Sequence, residues 1–460
     1  MRVVALLGAN ALMLVAGLGL LPWLGVARSW RELTTRSGLG YLCGLVATGI
    51  IAANIALVHV SFGWAALSVF AGAAACTGAW RLRGTERPSW QRPGWITVVG
   101  LAVLAAVLVE YGRAFTVAPL NRYDAWAIWG LKGHALYAFG WADPTVFAGA
   151  QYRFANLDYP LLLPALEAVD FHAMGAVDTR VLHLQFLLVL AAALLALAAL
   201  LRDRVPPLLL WPSLLAIALA PAVFGQLLTA YADVPLALIF AVGVAAAGRW
   251  LVTNERWSLT VAAFCFAAAL LTKNEGSLFV LAAFLGLFVA SRERWRPLAI
   301  AAAADLALLL PWKVYVRIHD IESINYSLAD SFDVDHINGR LGVLRIAFRT
   351  LGGEMIDPLS WGLLAPLFAL LVITALATGL RALPLFALVL AIVSWLGLSW
   401  IYVISHFEYS SYLDSTKERV ISSVVLGGAT LTPLLGTEIW ARGLRARGSG
   451  RPRSAGERTP

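Results

Sequence analysis

The sequence predicts an all-α polytopic membrane protein of about thirteen transmembrane helices, with external loops that carry short amphipathic helices. Three observations predict it. The 460-residue chain is 60% hydrophobic, with a mean hydropathy of +0.77. Only 13% of its residues are charged, against roughly 25% in soluble proteins. Its basic residues gather in short connections between apolar runs, which is the asymmetry that marks cytoplasmic loops. A net charge of +8 would suit a nucleic-acid binder, but that distribution argues against one. No nucleic-acid partner is expected.

Apolar runs long enough, or nearly so, to cross a hydrocarbon core of about 30 Å follow one another along the chain. They fall near 3–26, 39–58, 62–80, 95–112, 181–201, 207–224 and 233–250, then 258–272, 277–291, 298–316, 361–380, 383–404 and 420–440. The first resembles a signal peptide at Gly25-Val26-Ala27, yet it exceeds the usual apolar core of about 7–15 residues. A retained span is expected. With the N-terminus outside, one set of connections holds Arg28, Arg31 and Arg36, then Arg81 to Arg92, Arg202 and Arg204, Arg249 and Arg256, Arg292 to Arg296, and Arg381. That set is the cytoplasmic one. The polar segments 113–180, 317–360 and 405–419 then share the external side, together with the turns Gln226 to Asp233 and Lys273 to Gly276.

The chain divides accordingly. Residues 1–94 supply three helices, 95–320 a core with the large external loop 113–180, and 321–440 a further external loop and the last helices. Residues 441–460, rich in Arg, Gly, Ser and Pro, read as a disordered basic cytoplasmic tail able to touch anionic membrane lipid. Cys43, Cys76 and Cys265 all lie inside apolar segments. They cannot staple the loops and lack metal-ligand spacing.

The segment 113–180 organises the rest. A connection this long is uncommon unless it works or is disordered, and its density of Trp, Tyr and Phe argues against disorder. It reads as a folded cap over a site. Asp124 stands among Tyr123, Trp126 and Trp129, where partial desolvation would make a carboxylate a competent general base; an interfacial aromatic belt would explain the tryptophans equally. Asp158, Tyr159 and Pro160 place a second carboxylate where proline stiffens the return of the chain, although a polar turn before a helix would look the same.

Four further clusters face the same side. Asp233 opens a span two residues ahead of Pro235, and capping alone would account for it. Lys273, Asn274 and Glu275 make a tight turn that projects a cation; snorkelling would do so too. His406 belongs to a late polar cluster with Ser405 and Glu408. Ser415 and Glu418 fit a capping box at the start of the last span, whereas Arg419 beside them suits bidentate grip of a phosphate. Asp305, deep in the tenth span, either pairs with Lys313 or a neighbouring helix or is functional.

Taken in order, the external Asp124 beside aromatics, the Tyr159-Pro160-Leu161-Leu162 return, Asp233-Val234-Pro235, the Thr272-Lys273 turn and Ser415/Thr416 ahead of Arg419 resemble the GT-C membrane glycosyltransferases. The similarity is to protein O-mannosyltransferases, aminoarabinose transferases and lipopolysaccharide-core transferases, over roughly residues 95–320 and more weakly 405–433. It implies a transferase that takes a sugar from a polyprenyl-phosphate donor and passes it to an envelope glycan, lipid or protein. Asp124 would activate the acceptor, and Lys273 and Arg419 would grip the donor phosphate. Tyr123, Trp126, Asp158, Tyr159, Asp233, Glu275 and His406 would line the substrate pocket. Two departures stand: the catalytic loop, which follows the first span in those relatives, is preceded here by three extra spans, and Tyr159-Pro160-Leu161 replaces the His-Pro-Pro return.

The expected enzyme is an inverting hexosyl- or pentosyltransferase of a bacterial cytoplasmic membrane, with its site on the external face. No cofactor and no metal are expected, since the carboxylates form no tight ligand cluster. The rival expectation is a transporter or a flippase for a lipid-linked saccharide. Transporters set their polar sites near the midplane, often between repeats; here polar residues gather at one face.

Overall fold

The computed structural model describes residues 1–88, 92–118, 120, 122–326 and 328–449. A chain this apolar satisfies its backbone internally, and a helix does so within one segment. Among the described residues there is no strand, only an isolated bridge between Tyr326 and Ser405.

The first group comprises α1 (Arg2–Leu20), the short α2 (Trp30–Arg36), α3 (Gly38–Ile55) and α4 (Trp64–Arg81). After α5 (Trp95–Phe115) comes a cap made of a π-helical turn (Asp124–Gly130), α6 (Leu131–Phe139), α7 (Pro144–Phe147), a 3-10 turn (Ala150–Ala155) and α8 (Leu162–Met174). The middle of the chain forms α9 (Thr179–Leu201), α10 (Pro207–Leu219), α11 (Pro221–Thr229), α12 (Asp233–Thr253), α13 (Arg256–Thr272), α14 (Glu275–Ala290) and α15 (Trp295–Ile318). Last come α16 (Val334–Met355), α17 (Pro358–Trp361), α18 (Leu364–Ala377), α19 (Ala382–Val403), α20 (Tyr409–Val420) and α21 (Ser422–Ser449).

Among the described residues eight segments are long and apolar enough to cross a membrane, and nine if the bent pair α10 and α11 counts as one span. This is the architecture of a helical membrane protein. The expected thirteen spans each coincide with helix, but α13, α14 and α18 are shorter apolar helices and α4, rich in alanine and glycine, is not among the eight. At 17 residues, α13 reaches only about 25 Å. The pair α10 and α11 bends by 48°, where Ala220 is extended and Pro221 starts the second helix. The basic tail differs from expectation too: α21 continues as helix to Ser449, and 450–460 lie outside the described residues.

The long helix α12 is the axis of the molecule, 89% buried over its apolar window, and it packs against α9, α13, α14, α19 and α21. Its N-terminal end, at Asp233, carries the candidate site. At the other end Arg249, 1% exposed, binds Asp203 and Glu255 and donates to the Leu200 carbonyl at 2.7 Å. The first group docks through a close helix crossing. A Cβ on Gly17 would lie 1.7 Å from the Gly40 carbonyl oxygen, and one on Gly44 equally close to that of Met13. Small residues four apart let the backbones of α1 and α3 touch.

Candidate functional site

Four stretches distant in sequence converge at one end of α12. The π-helical turn places Asp124, Ile128 and Trp129 on one face, with the wider i→i+5 bonding shown by Leu131 N–H to the Trp126 carbonyl. The cap loop adds Asn156 and Tyr159, the α13–α14 turn adds Lys273 and Glu275, and α20 adds Tyr412, Thr416 and Arg419. Together they enclose a cavity of about 660 Å³.

Its electrostatics turn on two cations, Lys273 and Arg419, that pair with Asp124, Asp233 and Glu275, while a further carboxylate, Glu408, lines the cavity. Arg419 Nη1 donates to Asp124 Oδ2 at 2.5 Å and lies 3.9 Å from Asp233 Oδ2. Lys273 Nζ donates to Asp233 Oδ1 at 2.8 Å and lies 3.2 Å from Glu275 Oε1. Asp233 therefore joins the two cations from behind. Burial opposes the charge on Lys273, but Asp233 and Glu275 outweigh it and hold the ammonium above the ordinary lysine value. The arginine also stacks over the Tyr231 ring at 4.5 Å, and the lysine sits 5.7 Å over Tyr159. One donor is left over: Arg419 Nε is buried and has no hydrogen-bond partner among the described residues.

The cap loop is held from below. Lys132, fully buried, donates to the Asn156 carbonyl at 2.5 Å and reaches the Tyr159 carbonyl at 3.5 Å. Burial pushes its amine down to about 7, with Asp158 opposing the shift. Asn156 itself is left-handed, φ 48°, a conformation asparagine tolerates better than most residues. Tyr159 stacks on Trp129 with centroids 5.5 Å apart, and its hydroxyl accepts from Asn325 Nδ2 at 2.8 Å. Burial raises its phenol well above the usual value. It stays a neutral hydrogen-bonding group.

Of the residues singled out in the sequence, Tyr123, Asp124, Tyr159, Lys273, Glu275 and Arg419 line the cavity. Asp158 and Asp233 are buried behind its wall, the first accepting from Asn274 Nδ2 at 2.6 Å. Trp126 and His406 do not line it: Trp126 is half exposed, and His406 is exposed and pairs with Asp330 at 2.8 Å. Three expectations need correction. Asp124 is no free carboxylate among aromatics: it shares the cavity wall with Tyr123 and Trp129 and is ion-paired to Arg419. Lys273 is a buried partner of two carboxylates and does not snorkel. Ser415 and Glu418 are no capping box, because α20 starts at Tyr409 with Glu408 as its cap, accepting from Ser410 and Ser411 N–H. Asp305 has no bond to Lys313, which instead donates to Asn274 Oδ1 at 3.4 Å.

Sequence reasoning missed Lys132, Asn325 and Tyr412. The first had a signal, a lysine inside an aromatic-rich cap; the others look like ordinary loop and helix polarity. Among the described residues no group of three or more His, Cys, Asp or Glu side chains is placed to hold a metal. No protein-family model, curated protein or solved structure matches the chain. Its site is therefore interpreted from its own geometry.

Proposed function

We propose that this chain is an integral membrane glycosyltransferase of the GT-C type, which moves a sugar from a polyprenyl-phosphate donor to an envelope glycan, lipid or protein at the external face of a bacterial cytoplasmic membrane. One observation carries the reading most: Lys273, from the α13–α14 turn, and Arg419, from α20, converge with Asp124 on one cavity, and Arg419 Nε is buried without a hydrogen-bond partner among the described residues. A buried unsatisfied donor is rare and asks for a ligand. An anion such as a phosphate answers it.

The chemistry then follows from the ion pair. Donor phosphate competes with Asp124 for Arg419 and frees the carboxylate as it binds. Asp124 takes the proton of the acceptor hydroxyl, the acceptor oxygen bonds to the anomeric carbon, and the bond from that carbon to the phosphate oxygen breaks. Polyprenyl phosphate leaves with its negative charge facing Arg419 and Lys273. Attack opposite the leaving group inverts the anomeric centre. Trp129 and Tyr159 offer flat apolar walls to a sugar ring, with Asn156, Asn325 and Tyr412 as polar contacts.

A transporter or flippase would draw on the bent pair α10 and α11, since broken helices serve transporters. The candidate site lies instead at helix ends. The test uses the purified protein in lipid with radiolabelled polyprenyl-phosphate hexoses and envelope acceptors, wild type beside Asp124→Asn. Transfer by wild type and its loss in the variant would support the transferase. Translocation of the lipid-linked sugar across vesicles without transfer would move the protein to the transporter class.

A further inference from the structure

A second cavity, of about 680 Å³, lies between α13 and α15 at the end of the helices opposite the candidate site. Its floor comes from two helical stripes, Leu259, Thr260 and Ala263 on α13 and Ile300, Ala301 and Ala304 on α15. Spacings of three and four put each set on one face. Alanines at 263, 301 and 304 are too small to fill the space between the helices, and the cleft is left open along the apolar surface, where Ile300 is 73% exposed.

The rim is cationic. Arg256, Arg294 and Arg296 line it together with Trp250 and Asn254. Arg294 is held in place, stacked 4.5 Å over the Trp250 ring, with Nη1 donating to Asn254 Oδ1 at 3.4 Å and Nε donating to Glu293 Oε1 at 3.2 Å. Glu293 is largely exposed. Arg256 and Arg296 are exposed, and neither takes part in a salt bridge among the described residues.

Three guanidinium groups over an open apolar cleft complement one ligand chemistry, an amphiphile with an anionic phosphate head and an acyl tail. A free phosphate would satisfy the arginines and leave the floor unfilled. A zwitterionic lipid would fill the floor and bring its own cation to the rim. We propose that this cleft binds one anionic phospholipid of the surrounding bilayer, with its phosphate on Arg256, Arg294 and Arg296 and an acyl chain along α13 and α15. The site shares no lining residue with the first cavity and stands whether or not the chain is a glycosyltransferase.

Native mass spectrometry of the delipidated full chain in detergent tests it, with phosphatidylglycerol, phosphatidylcholine and inorganic phosphate as separate probes. One phosphatidylglycerol should bind wild type about tenfold more tightly than the Arg256→Gln, Arg294→Gln, Arg296→Gln triple variant, and phosphatidylcholine should show no such difference. Ala304→Trp keeps all three charges and fills the cleft. It should lose the same bound lipid, so that the outcome does not rest on the folding of the triple variant alone. Equal retention of phosphatidylglycerol by wild type and Ala304→Trp would overturn the proposal, as would displacement of the lipid by millimolar inorganic phosphate.

Discussion

Arg419 is the residue on which the candidate site closes: it binds Asp124, approaches Asp233 and keeps Nε without a hydrogen-bond partner among the described residues. Arg419→Gln removes the charge and strands Asp124. In the transfer assay it should lower kcat/KM by about a hundredfold or more, and Arg419→Lys should recover little, since an ammonium lacks the planar fork. A variant that transfers sugar at the wild-type rate would remove the arginine from the mechanism. Lys132 makes a pH prediction. Its amine titrates at about 7 when folded and at 10.5 when free, so between those values the unfolded chain binds the extra proton. This group should therefore make stability rise from pH 7 towards 10.5. Lys132→Met should flatten that rise in thermal unfolding followed across the range, while the loss of its two carbonyl contacts costs about 1–3 kcal/mol. Charged residues are scarce in this chain, which is why Asp124, Lys273 and Arg419 stood out in the sequence. Their pairing was not legible, because it joins positions 295 residues apart, and local pattern carries no information over that separation.

At the scale of elements, helix ends decide the arrangement. The C-terminal end of α12 is pinned by Arg249, whose partners are unequal to it in burial: Arg249 is 1% exposed, Asp203 51% and Glu255 33%. Removal of the arginine lets both carboxylates hydrate, and Arg249→Leu should cost about 1–3 kcal/mol. Removal of both carboxylates leaves a buried cation, and the Asp203→Ala, Glu255→Ala double variant should cost about 3–5 kcal/mol. Thermal unfolding in detergent should rank the double variant below Arg249→Leu; the reverse order would mean that the arginine, not its neutralisation, holds the helices together. Element positions were largely legible because apolar runs of this length leave the backbone no alternative to helix. Element ends were not. The Ser415 and Glu418 spacing that reads as a capping box sits inside α20, where Ser415 Oγ donates to the Tyr412 carbonyl. The true start at Tyr409 depends on Glu408, an acceptor no apolar pattern reveals. Likewise α13 and α14 meet the hydropathy of a span without its length, as a tight turn at Lys273 brings a charged pair inward.

Across the whole molecule the two cavities sit at opposite ends of shared helices. α12 runs from Asp233, behind the first cavity, to Thr253, beside Asn254 of the second. Its 21 residues span about 30 Å, the thickness of a hydrocarbon core. If α12 crosses a bilayer upright, Glu408 and Arg296 lie on different sides of it. The arginine-rich connections then mark the second cavity as cytoplasmic and the first as external. Single cysteines at both positions, on a background with Cys43, Cys76 and Cys265 changed to alanine, make the arrangement measurable in intact cells. A membrane-impermeant maleimide should label Glu408→Cys at once and Arg296→Cys only after permeabilisation. Labelling of Arg296→Cys alone in intact cells would turn the protein over and put the candidate site in the cytoplasm. An external polyprenyl-phosphate donor would then no longer reach it, although an anionic phospholipid, present in both leaflets, would still reach the second cavity. The orientation thus separates the two proposals: the transferase reading depends on it, and the lipid site does not.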